Sequence, residues 1–194
     1  MLHNLLKNTD IILASRSPRR KILLEQVGLD FRQIPSAIEE TEKDISSEEF
    51  VIHYSREKAK KIHRSFPNSL IIGADTVVLI DGKRLGKPAD KIEAKYYLQQ
   101  LSANSHTVLT GITVLYQEKI ISEIAKTKVF FHAISEMDLQ EYVETEEPMD
   151  KAGAYGIQGF GSQFIKKIEG CYFNVMGFPI PLFYEICREI KRED

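Results

Sequence analysis

Short continuous apolar runs alternate along the chain with stretches whose apolar residues recur every three or four positions. The switch between these two periods outlines the elements. Residues 11–14 are an apolar run of the kind found in a strand covered on both faces. Ser17 then suits a helix N-cap and Pro18 the first helical position. Leu23, Leu24 and Val27 give helical spacing, and Gly28 stops it. Residues 31–37 predict a strand that leads to Glu39-Glu40. Ser46 with Glu49 predicts a capping box, opening a helix through Val51, Tyr54, Lys58, Ala59 and Ile62 that Pro67-Asn68 breaks. Residues 69–80 are the strongest strand signal. Asp81-Gly82 predicts a hairpin turn that returns the chain through Arg84-Leu85 to Gly86-Lys87-Pro88. Asp90 caps a helix ending near Leu101, and residues 106–116 and 120–134 predict two long antiparallel strands. Ser135 with Asp138 opens a helix through Tyr142. After a Gly-rich segment, residues 147–161, come a strand at 164–168 and an amphipathic helix at 180–190. No repeat, low-complexity tract or linker interrupts the series. The pattern predicts an α/β fold with a mixed sheet, in two lobes around a cleft.

Composition changes this picture little. The 194 residues suffice for one sizeable core or one domain with two lobes. A net charge of -2 argues against bulk nucleic-acid binding, so any basic site must be local. The two cysteines, Cys171 and Cys187, have no CxxC spacing, which disfavours a thiolate zinc site or disulfide scaffold and fits a reducing cytoplasm. The apolar stretch at residues 1–8 is too short for a signal peptide, and no run approaches the ~18 residues of a membrane span.

Local charge changes the picture more. Arg19 and Arg20 stand in the first turn of a helix, where the macrodipole repels cations. The arrangement makes sense if an anion is held there by backbone N–H, hydroxyl and guanidinium groups, and it points to a phosphate-bearing ligand. Asp75 interrupts an apolar strand, and a carboxylate there needs a partner. It is either a general base, a ligand for a hard divalent cation, or a strand-end residue closing a turn. Glu39 and Glu40 alone read as a solvated pair. A role follows only if the fold brings Glu40 near Asp75, and two carboxylates would then suit Mg²⁺ or Mn²⁺ better than zinc. Lys87 is either a solvated loop lysine or a phosphate contact, and Lys58 falls within a basic run typical of a solvated helix face. In the Gly-rich segment, Gln158 offers a donor and an acceptor suited to the edge of a base. No Walker A loop, dinucleotide fingerprint or GxSxG elbow is present, and His106 reads as a packed residue at a strand start.

Four segments together, Leu13-Ala-Ser-Arg-Ser-Pro-Arg-Arg20, Gly73-Ala-Asp-Thr-Val77, Leu85-Gly-Lys-Pro88 and Glu147-Pro-Met-Asp-Lys-Ala-Gly-Ala-Tyr-Gly-Ile-Gln-Gly159, resemble the Maf family of nucleoside triphosphate pyrophosphatases, first described as septum-formation inhibitors. The resemblance runs from about residue 10 to the closing helix. It implies a single Maf-like domain over residues 1–194, with a mixed α/β sheet in two lobes around a deep cleft, related to the inosine triphosphatase-like fold. It implies hydrolysis of a nucleoside triphosphate to the monophosphate and pyrophosphate with a divalent metal cation, Mg or Mn. Asp75 matches the family's proposed base, and Ser15, Arg20, Glu40, Lys58 and Lys87 match other polar positions of its cleft. Arg19, Thr76 and Gln158 match positions linked to substrate choice. Ser17 lies in the same segment as Ser15 and joins the expected substrate-binding residues. Glu40 and Asp75 are the expected metal ligands. Ala74-Asp75-Thr76 resembles the branch acting on dTTP, UTP and modified pyrimidine triphosphates, whereas a Ser-Asp-Gln branch prefers 7-methyl-GTP. The alternative is a nucleotide-binding regulator of cell division with incidental hydrolysis. A cytoplasmic protein, no nucleic-acid or membrane partner, and a homodimer complete these expectations. One departure stands out: Ala103 replaces the glycine usual in Leu101-Ser-Ala-Asn-Ser-His106. If that position needs a positive φ, alanine costs about 1 kcal/mol.

Overall fold

A computed structural model describes residues 1–192. The helices are α1 (Leu2–Leu5), α2 (Pro18–Gln26), α3 (Ser47–His63), α4 (Lys91–Leu101), α5 (Glu136–Glu144), α6 (Tyr172–Val175) and α7 (Ile180–Ile190). The strands are β1 (Ile11–Leu13), β2 (Arg32–Gln33), β3 (Leu70–Ile80), β4 (Lys83–Leu85), β5 (Ser105–Tyr116), β6 (Lys119–Phe131) and β7 (Ile165–Glu169). Their hydrogen-bonded order is β2-β1-β3-β5-β6-β7, with β4 added to β3. β1 pairs in parallel with β2 and with β3 (Ile12 opposite Ile71), while β4 on β3 and β7 on β6 are antiparallel. The α/β class and mixed sheet agree with the sequence pattern.

The chain forms two compact units. Among the described residues, one comprises 1–75, 110–125 and 177–192, and the other 76–109 and 126–176. In the first, Ile12, Ala14, Ala59, Ile62, Ile71 and Leu115 form a core between α3 and the strands. In the second, buried side chains of β3, α4, β5, β6 and α5 pack together, among them Val78, Leu98, Val108, Val129 and Leu139. Among the described residues no helix is long and apolar enough to cross a membrane.

The capping signals agree with the structure. Ser17, Ser46, Asp90 and Ser135 each accept a backbone N–H at a helix start, and Ser46 with Glu49 makes the full capping box. The Asp81-Gly82 turn has φ of 48° and 76°, as a tight hairpin between right-twisted strands requires. Two predicted strands are shortened. Residues 31–37 yield only β2, because Pro35 has no N–H to offer a ladder and Ala37 turns to φ 50°. β6 stops at Phe131, and the Ile134 N–H donates instead to Ser102 Oγ at 2.8 Å. α1 and α6 were not anticipated, since four residues are too few to show a period.

Two features of the second unit lead to predictions. Ala103 has φ 55°, the left-handed conformation in which a Cβ is unfavourable, and its side chain is exposed. Ala103→Gly should therefore raise the unfolding free energy by about 0.5–1 kcal/mol in urea titration, and a loss of stability would count against strain at this turn. His106 is buried, with Nε2 2.7 Å from the Tyr155 hydroxyl and its ring edge-on to Phe131 and Tyr155. Burial lowers its pKa from 6.5 to about 3. The unfolded chain thus binds a proton that the folded chain refuses. Stability from this group is complete above about pH 6.5 and is lost as the pH falls toward 3. Between pH 7 and pH 5 the native chain should lose about 2 kcal/mol more than His106→Asn. Equal losses would show that His106 is not held neutral.

Candidate functional site

The first unit builds its polar centre by letting a helix lie unusually close to the sheet. A Cβ at Gly73 on β3 would run into the carbonyl oxygen of Ser55, and one at Gly111 on β5 would run into that of Val51. α3 therefore rests backbone-first on two glycines, with small Ser55 and Ala59 facing the strands, and Ser55 Oγ lies 2.9 Å from Thr113 Oγ1. One turn further along the same helix, Lys58 reaches β3 where Asp75 interrupts the apolar run. Its Nζ donates to Asp75 Oδ1 at 2.6 Å and to Glu40, and approaches the Ala74 carbonyl oxygen at 3.5 Å. The side chains of Asp75 and Lys58 are almost wholly buried, whereas that of Glu40 is half exposed.

Arg20 closes the other flank. Its Nε donates to the Gly177 carbonyl at 2.9 Å, and Nη1 donates to Ala74 O at 2.9 Å and Ser15 Oγ at 3.1 Å. Ser15 Oγ also accepts the Ser17 N–H at 3.2 Å, and Ser17 in turn accepts the Arg20 N–H. The cation in the first turn of α2 is thus offset by carbonyl oxygens of two other segments, which lie far from it in sequence. Burial lowers the Arg20 pKa, and the carboxylates of Asp75 and Glu40 oppose that shift.

The two carboxylates respond differently to the shared ammonium. Burial pushes Asp75 above the ordinary range; Lys58 pulls it back and the Glu40 charge adds to the rise. For Glu40 the burial effect is overcome by the charge and hydrogen bond of Lys58 and by Arg20, which hold it below the ordinary value. Asp75 Oδ2 is buried and receives no hydrogen bond from the described residues. An unsatisfied carboxylate oxygen beside a second carboxylate is a donor set that fits a hard, oxygen-seeking divalent cation. Among the described residues no three Asp, Glu, His or Cys side chains are grouped so that they could hold a metal ion by themselves. Such an ion would draw its remaining ligands from water and phosphate, as Mg²⁺ commonly does.

Of the sequence-predicted residues, Ser15, Arg20, Glu40, Lys58 and Asp75 thus form one connected network, with Ser17 and partly buried Arg19 at the start of α2. Thr76, Lys87 and Gln158 belong to the second unit. Lys87 and Gln158 are exposed, and Thr76 is partly buried on β3. Their two loops are joined where the Gly153 N–H donates to Gly86 O at 2.9 Å, and Gly153, at φ 68°, has no room for a Cβ beside Val78. Residue patterns gave no role to Gly73, Gly111, Tyr142 or Glu147. Glu147 heads a motif, but nothing in its spacing announces the backbone N–H groups that its carboxylate accepts.

Residues 10–190 match the model of the family described as Maf-like protein. A dTTP/UTP pyrophosphatase from Carboxydothermus hydrogenoformans is 44% identical over 181 residues, covering 92% of this chain and 97% of that protein. Proteins of the same description from Bacillus pumilus (47%, covering 88% of this chain and 90% of the relative) and Pyrococcus abyssi (42%, covering 92% and 95%) are comparably similar. A dITP/XTP pyrophosphatase structure from Mycobacterium abscessus aligns over 94% of this chain and 97% of its own at 14% identity, but a TM-score of 0.47 adds nothing to the assignment. With the family model spanning nearly the whole chain and relatives above 40% identity over most of its length, this protein belongs to the Maf family.

Proposed function

We propose that this chain hydrolyses dTTP, UTP and related pyrimidine nucleoside triphosphates to the monophosphate and pyrophosphate. The observation that carries the reading is the buried Asp75, held by Lys58 beside Glu40, in a chain whose relatives are described as dTTP/UTP pyrophosphatases. A water oxygen attacks the α-phosphorus as Asp75 takes its proton. The bond from that phosphorus to the oxygen bridging to the β-phosphate breaks, and pyrophosphate leaves. Burial suits Asp75 to the task, since a carboxylate raised above its ordinary pKa is the stronger base. Lys58 keeps the two carboxylates together, and Glu40 and Asp75 would hold a divalent cation, Mg or Mn, whose charge neutralises the phosphate chain. Arg20 braces Ser15 and the Ala74 carbonyl beside the base. Ser15, Ser17, Arg19 and Lys87 supply further contacts to phosphate oxygens. Thr76 and Gln158 read the pyrimidine edge. Both cysteines are free, which supports a reducing compartment such as the cytoplasm.

Two outcomes are expected. Pyrophosphate release from a nucleotide panel with Mg²⁺ or Mn²⁺ should favour dTTP and UTP. It should fall by about a thousandfold or more in Asp75→Asn, which removes the base but keeps the shape. Strong turnover of 7-methyl-GTP instead would overturn the role of Thr76, and nucleotide binding without turnover would favour a regulator. The acid limb of the kcat/KM profile for dTTP should lie above 3.8, the ordinary value for an aspartate, because burial raises Asp75 and protonation removes the base. A profile flat through the acid range would argue for a different base.

A further inference from the structure

Gln158 lies in a segment with little regular structure to hold it. Around it run short 3-10 turns at Ala152–Ala154 and Phe160–Phe164, and Gln158 itself is exposed. A glycine-rich stretch of this kind would sample many backbone states unless tied down. The tie is the side chain of Glu147. Its Oε1 accepts the Tyr142 hydroxyl at 3.0 Å and the Gly161 N–H at 3.1 Å, and its Oε2 accepts the Phe160 N–H at 2.9 Å. The Tyr142 hydroxyl also accepts the Gly156 N–H at 3.3 Å. Backbone donors on both sides of Gln158 therefore end on one Glu–Tyr pair.

The glycines belong to the same device. At Gly159, φ is 76° and a Cβ would collide with the Glu147 carboxylate. A Cβ at Gly161 would come within 2.6 Å of the Tyr142 hydroxyl, and one at Gly156 within 2.9 Å of Lys151 Cε. Gly159 and Gly161 thus let the chain close around the anchor, while Gly156 leaves room for the Lys151 side chain and the Gln158 carbonyl. The anchor is itself fixed: Tyr142 is buried on α5 with its ring edge-on to Phe164, and it shares one buried core with Leu98 and Leu101 of α4 and Leu139 and Val143 of α5. Burial, then the Glu147 charge, push the Tyr142 phenol above its ordinary range, so it stays a donor to the carboxylate.

We propose that Glu147, with Tyr142, is the positioning pair that fixes Gln158 and thereby sets the nucleobase preference of the enzyme. This rests on the reading of Gln158 as a base-recognising residue. Glu147 acts through the loop and touches no substrate. Discrimination between bases depends on a rigid donor and acceptor that a wrong base leaves unpaired. A loop that holds this geometry only part of the time loses affinity in proportion to that fraction, and the discrimination falls with it. The network around Asp75 makes no use of this anchor, so KM should suffer more than kcat.

Pyrophosphate release from dTTP, UTP, dCTP and dGTP, measured for the native chain, Glu147→Gln, Tyr142→Phe and Gln158→Ala, tests the proposal. Glu147→Gln keeps the shape but sets an amide donor in place of one carboxylate oxygen, against either the Phe160 N–H or the Gly161 N–H and Tyr142 hydroxyl. It should lower the kcat/KM ratio of dTTP to dCTP about tenfold, mostly through KM, with Gln158→Ala doing the same and Tyr142→Phe less. Hydrogen exchange at the Phe160 and Gly161 amides should quicken in both anchor variants. If Gln158→Ala erodes the ratio while both anchor variants keep it, the proposal fails and the reading of Gln158 stands. If Gln158→Ala leaves the ratio intact, that reading falls and takes the proposal with it. Should Glu147→Gln not fold, Tyr142→Phe decides the matter. It keeps the buried ring, and an unaltered ratio with unaltered amide exchange would overturn the proposal.

Discussion

Asp75 is 2% exposed, in the middle of a strand that is otherwise apolar apart from Thr76. A carboxylate in that position is tolerated only with a counter-charge at hydrogen-bond distance, and removing one partner of such a buried pair typically costs about 3–5 kcal/mol. The counter-charge is Lys58, and much of the first unit serves to bring it there. The capping box at Ser46 starts α3, the glycines at 73 and 111 let it settle against the strands, and one helical turn beyond Ser55 delivers the ammonium. The same ammonium gathers Glu40 from a segment without regular structure, which turns two isolated acids into a site.

The same constraint extends to the residues around Asp75. Burial raises the Asp75 pKa and favours its neutral form, and Lys58 and Arg20 oppose that shift. Arg20 binds two carbonyl oxygens and a hydroxyl, one of them next to Asp75 in sequence, so it orders the backbone around the carboxylate as well as opposing its charge. The second unit uses a related principle with the signs reversed. There an acidic group, Glu147, is surrounded by neutral donors, and the charge organises a glycine-rich loop that could not order itself.

Much of the fold was legible in local pattern. Helix starts at Ser17, Ser46, Asp90 and Ser135 and the Asp81-Gly82 turn depend on side chain and backbone within a few residues, so sequence states them directly. The positive φ at Ala103 was raised only as a condition, by the resemblance to a family with glycine there, and the structure meets that condition with φ 55°. The ends of β2 and β6 were less legible, since strand length depends on a partner that the local pattern does not contain. Asp75 announced itself by violating its surroundings. Lys58 and Glu40 did not, because each is ordinary in its own segment and gains meaning only from the other two.

By itself the sequence determined the order and type of the longer elements, the mixed α/β class, and the anomalies at Arg19-Arg20 and Asp75, together with motifs that resemble those of its family. The elements rest on periodicity and capping, which act over a few residues, whereas the family rests on the likeness of its motifs to those of known proteins. Only the tertiary structure decided that Arg20 is spent on carbonyl oxygens, that Lys58 joins Glu40 to Asp75, and that Glu147 anchors the Gln158 loop. Those pairings join residues separated in the chain. Their energies come from burial and close approach, which exist only once the glycines and helices have packed.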